Sequence, residues 1–102
     1  MKIYISGAIT NVPDYKENFA RAEEKLKAEY PEAEIINPTV LDALPLTYDE
    51  YMELDLKLLD MCGAIYMLNG WEKSKGACIE YGYALAKDKI ILLEQTGQLR
   101  FA

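Results

Sequence analysis

Histidine is absent from the 102 residues, which removes the usual general base near neutral pH and the commonest zinc ligand. Only two cysteines occur, Cys62 and Cys78. They lack C-x-x-C spacing and lie in apolar segments, so both are expected to be reduced and buried. Positive charge is scarce: 11 Lys and Arg stand against 17 Asp and Glu, a formal net charge of −6. Affinity for DNA or RNA as polymers comes mainly from Lys and Arg meeting phosphates, so this balance argues against a nucleic-acid polymer as partner. It also disfavours anionic membrane surfaces. No apolar run approaches the roughly 20 residues of a membrane-crossing helix. "MKIYISG" has one lysine and a short β-like run, too brief for a secretion signal. A cytoplasmic setting is the expectation. Repeats, linkers and low-complexity segments are missing too, so 1–102 is read as a single domain.

What is present is a regular alternation of strand-like and helix-like segments. "KIYIS" (2–6), "AEIINP" (33–38), "AIYML" (64–68) and "KIILLE" (89–94) are short apolar runs closed by Gly, Pro or polar residues, and they read as strands. Tyr15, Phe19, Ala22 and Leu26 recur at helical spacing, which predicts an amphipathic helix over 15–29 opened by an Asp14–Glu17 capping box. Thr47 with Glu50 predicts a second box, opening a helix that runs to about Cys62, and residues 75–87 form a third. "QTGQLRFA" follows as a short tail. Continuous apolar strands alternating with helices imply a small doubly wound α/β three-layer sandwich, with a parallel sheet of about four strands. In such sheets ligands bind at the carboxyl ends of the strands. Here the loops after the first and third strands, "SGAIT" and "NGWEKSKG", hold the residues of interest.

The segment from Gly76 to Ala86 is almost wholly small or apolar and carries one charge, Glu80. Its helical neighbours are Gly76, Ala77, Tyr83 and Ala84, with Lys87 two turns on. A buried carboxylate is costly, so it finds a partner or its pKa rises. One reading is a salt bridge to Lys87 or an exposed helix edge; the other is a nucleophile or acid in a dry pocket. Before it, "KSKG" (73–76) places an N-capping Ser74, Gly76 and two lysines at a helix start, which suits an anion. A capped helix with exposed lysines explains the same residues, and G-x-x-x-x-G-K is missing. Asp55 and Asp60 lie on the preceding helix, where most acids face water. By default Tyr4 is a core aromatic and Asn69 and Trp71 are loop residues, although Trp71 could cover a flat ring.

"IYISGAIT" followed by "DEYMELDLKLLDMCGAIYMLNGWEKSKGACIEYGYALA" resembles the nucleoside 2-deoxyribosyltransferase-like family over residues 2–94. Its strongest element is S-x-G-x-x-x-E-x-G-Y-A. The sequence looks closest to a small branch from phage and bacterial genomes, and is also similar to the 2′-deoxynucleoside 5′-phosphate N-hydrolases. The resemblance implies a flavodoxin-like fold and cleavage or transfer at the N-glycosidic bond of a deoxynucleoside or deoxynucleotide. It implies Glu80 as the nucleophile, Asp55 as the acid beside the departing base, and Tyr4 as the hydroxyl that holds the nucleophile. Gly7, Ala8 and Ile9 of the first loop, and Asn69, Trp71, Ser74 and Gly76 of the third, become the expected substrate-binding residues. Ser74 and the two lysines favour a 5′-phosphate. Neither a metal nor a cofactor is expected, and a homo-oligomer, dimer or tetramer, is. A non-catalytic module for a nucleotide or phosphorylated sugar is the alternative, and an interaction role without a ligand is the third.

Overall fold

The structure is a computed structural model that describes residues 1–94, so the tail read from "QTGQLRFA" lies outside the described residues. Four strands, β1 (Lys2–Ser6), β2 (Glu34–Ile36), β3 (Ala64–Met67) and β4 (Ile90–Leu93), alternate with three helices. The helices are α1 (Tyr15–Glu29), α2 (Tyr48–Asp60) and α3 (Lys75–Ala86), with short 3-10 turns at Pro38–Ala43 and Trp71–Lys73. All strand pairs are parallel, in the order β2-β1-β3-β4. This is the expected flavodoxin-like α/β arrangement. The chain leaves β1 toward β2 on one side and returns to β3 on the other, which opens a crevice between the carboxyl ends of β1 and β3.

The two-residue period of β1 assigns its side chains to two cores. Ile3 and Ile5, with Ala64, Tyr66 and Leu68, pack against Phe19, Ala22 and Leu26 of α1. Tyr4, Ile65, Met67 and Ile91 face the other way, onto Leu59 of α2 and Ala77 and Ala84 of α3. Three layers result: α1, the sheet, then α2 with α3. None of the described helices is long and apolar enough to cross a membrane.

The helix starts divide the sequence expectations. Thr47 and Glu50 form the full capping box at α2, and Ser74 caps α3 by accepting from the Ala77 N–H. The box expected at α1 does not form: Asp14 makes no side-chain cap bond. The chain there is already turned by backbone bonds from Val12 N–H to Ile9 and from Tyr15 N–H to Val12. Cys62 is buried as expected, but Cys78 is exposed, because its position on α3 faces away from the inward Ala77, Glu80 and Ala84.

Gly7, directly after β1, is required by packing. A Cβ there would lie 2.7 Å from Leu68 Cδ1 and 2.9 Å from Leu68 Cβ. Since Leu68 is itself buried on the end of β3, Gly7→Ala is expected to cost about 1–3 kcal/mol. Denaturant unfolding of the variant checks this.

Candidate active site

The crevice is an open cleft of about 1020 Å³ at the carboxyl ends of β1 and β3. Glu80 reaches it from the first turns of α3, with only 5% of its surface exposed. Each carboxylate oxygen accepts one hydroxyl bond from β1. Tyr4 Oη donates to Oε2 at 2.7 Å, and Ser6 Oγ donates to Oε1 at 2.7 Å. Tyr4 and Ser6 are 0% and 1% exposed. Burial pushes the Glu80 carboxyl up to about 7, against the lowering effect of the two hydroxyls and with a smaller push from Asp55. Tyr4 is raised well above its ordinary value by burial and then by Glu80, so it remains a donor.

The exposed-edge and Lys87 readings of Glu80 are therefore set aside. Lys87 Nζ lies over the Tyr83 ring, 5.5 Å from its centroid. Glu80 is in none of the ion pairs among the described residues.

Asp55 lines the same cleft from α2. Burial raises its carboxyl to about 6, with a further contribution from Asp42. What brings α2 and α3 this close is Gly76, where a Cβ would sit 3.2 Å from both Met52 Sδ and Tyr48 Oη. Met52 is one helical turn from Asp55, so that small contact sets the acid's wall beside the wall that carries Glu80. Asp60 is not in the cleft; it accepts from Tyr83 Oη at 2.8 Å.

The cleft is also lined by Gly7, Ala8, Ile9, Asn69, Ser74 and Gly76. Trp71 is the exception and a correction. Its ring stacks on Tyr81 with centroids 4.5 Å apart and 28° between planes, and it packs against the α2–α3 core. The 3-10 turn, begun by Trp71 N–H bonding to Leu68 O, lays the indole along α3 instead of over the cleft. At the mouth, Lys73 and Lys75 flank the capped start of α3. Asn69 N–H donates to Glu94 Oε1 at 2.9 Å.

Several residues in or directly behind the cleft were not among those expected. Ser6 had a signal, since it lies two places after Tyr4 on a strand and so shares its face. Asp42, which accepts from Tyr15 Oη at 2.6 Å, and Arg21, paired with Asn18 Oδ1, come from a 3-10 turn and from α1. No local pattern marks either one.

A 2-desoxiribosyltransferase from Leishmania mexicana has a similar structure, with a TM-score of 0.69 at 22% identity. The match covers 99% of this chain and 77% of that one. At that identity the likeness establishes a shared fold. A search of curated proteins gives no match. The profile of a family described as a domain of unknown function, DUF4406, matches residues 1–93. The chain belongs to the DUF4406 family.

Proposed function

We propose that the chain cleaves or transfers at the N-glycosidic bond of a 2′-deoxynucleoside 5′-phosphate, with Glu80 as nucleophile and Asp55 as acid. One observation carries the reading: a buried carboxylate with a hydroxyl on each oxygen shares its cleft with a second carboxyl raised toward neutrality. Glycosyl transfer passes through an oxocarbenium-like state. A carboxylate first stabilises that state and then captures it as a covalent sugar ester. A carboxyl near 6 can deliver the proton that the departing base needs. The common fold with a 2-desoxiribosyltransferase supports the same class of reaction.

In this reading the Gly7–Ile9 loop and Asn69 border the sugar and base. Ser74, Lys73, Lys75 and Gly76 receive the 5′-phosphate at the start of α3, where free N–H groups and the helix dipole favour an anion. Function in the cytoplasm as a homo-oligomer belongs to the same proposal.

The test is release of free base, followed by chromatography, from each deoxynucleoside 5′-phosphate and its parent nucleoside. Release is expected from the phosphates. The double variant Lys73→Ala, Lys75→Ala is expected to raise KM for them by about tenfold, as loss of charge-assisted bonds implies, with little change for the nucleosides. No release above a Glu80→Ala control would refute the reading. The raised carboxyl of Glu80 also suits a neutral hydrogen-bond donor in a binding module. Nucleotide stabilisation of both the wild type and Glu80→Gln, with no base release by the wild type, would select that alternative.

A further inference from the structure

Ser6 and Tyr4 both donate to Glu80 at 2.7 Å, but they hold different oxygens from different depths. Ser6 is the last residue of β1 and pairs with Met67, the last of β3. The next residues after the two strands, Gly7 and Leu68, already line the cleft. Along the strand Ser6 is roughly 7 Å nearer to that rim than Tyr4. Oε1 is thus bonded to the residue beside the rim, and Oε2 to the residue deeper in the strand.

Resting on the glycosidic reading above, we infer that Oε1 is the attacking oxygen and that Ser6 is a catalytic residue for the second half of the reaction. In the first half, Oε1 bonds to C1′ as the C1′–N bond breaks. That electron pair leaves with the base, and Asp55 supplies the proton. Oε1 becomes an ester oxygen, a poor acceptor, so the Ser6 bond weakens. In the second half, water attacks C1′ and gives its proton to the Asp55 carboxylate. The C1′–Oε1 pair then returns to Oε1, where the Ser6 hydroxyl stabilises the charge that develops. Oε2 stays an acceptor throughout as the ester carbonyl, so Tyr4 supports both halves alike.

The two hydroxyls therefore separate kinetically. A hydrogen bond to a charged group implies a slowing of ester breakdown in Ser6→Ala of roughly tenfold to hundredfold. Ester formation slows less, because the lost bond raises the Glu80 carboxyl further but also frees the attacking oxygen. Rapid-quench kinetics of Ser6→Ala, with a deoxynucleoside 5′-phosphate that the wild type turns over, should show a burst of free base equal to the enzyme present. Intact-mass analysis should find the deoxyribosyl phosphate adduct, and peptide mapping should place it on Glu80. Ser6→Thr, which restores the hydroxyl, should abolish the burst. Tyr4→Phe should slow turnover without one. Ser6→Cys, a weak donor, carries the same expectation as Ser6→Ala should the latter fail to fold. Turnover by the wild type with neither burst nor adduct in Ser6→Ala overturns the assignment of Ser6 alone. Absence of base release by the wild type overturns the glycosidic reading itself.

Discussion

Glu80→Gln is expected to abolish base release and, at pH 8, to raise the melting temperature. The loss of rate should be on the order of 10³-fold or more, as for removal of a covalent nucleophile. The gain in stability follows from the desolvation of the native side chain. Its carboxyl goes from an ordinary value of 4.5 to about 7 on folding, chiefly through burial. Between those values the folded state binds more protons than the unfolded state, so stability falls as pH rises through this window. Below about pH 4.5 both states are protonated and nothing is lost. Above about pH 7 the full cost, on the order of 3 kcal/mol, is present. Glutamine avoids it, because its amide accepts one hydroxyl and donates to the other. Thermal unfolding should show a rise of roughly 10 °C at pH 8 that vanishes by pH 4. A fall at pH 8 would mean that the Tyr4 and Ser6 bonds outweigh desolvation and that ionised Glu80 is a net stabiliser.

Asp55→Asn should remove the alkaline limb of the pH–rate profile. Attack needs Glu80 ionised while proton delivery needs Asp55 protonated, yet burial sets Glu80 near 7 and Asp55 near 6. The productive pairing is thus a minority at every pH. The coupled pair should give a bell-shaped kcat/KM centred near pH 6.5, falling about tenfold per pH unit well outside it. With asparagine only Glu80 titrates. Because Asp55 no longer raises it, the profile should become one rise that levels off at or below about pH 7. At pH 6.5 the rate should drop by about 10²- to 10⁴-fold. A deoxyriboside whose leaving group needs no proton should recover most of it. An alkaline limb that survives in Asp55→Asn would assign the acid elsewhere.

How much of this was legible depended on how local each cause is. Apolar runs of strand length and the spacing of Phe19, Ala22 and Leu26 reflect neighbours along the chain, and they gave the layers correctly. Glu80 stood out because a lone charge in a small-residue helix conflicts with burial, and that conflict is visible in one dimension. Its partners were harder to read, since the Tyr4 and Ser6 bonds span separations of 76 and 74 residues. Only strand alternation offered a hint of Ser6. Trp71 was misplaced because its direction is set by a 3-10 turn that ends on Tyr81. Cys78 was misjudged because α3 is apolar on nearly every side, so hydrophobicity alone does not tell its inward face from its outward one. Ile79 and Leu85, 41% and 44% exposed, show the same ambiguity. Asp14 fits the capping pattern, but backbone bonds from the preceding loop had already shaped the start of α1.

The pleat of β1 sends Ile3 and Ile5 toward α1 and Tyr4 and Ser6 toward Glu80. Core packing and site chemistry are consequently encoded in one binary rhythm. A slip of this strand by one residue would turn both hydroxyls into the greasy layer and leave isoleucines facing the carboxylate. The first strand can drift in composition, but it has no freedom to slip.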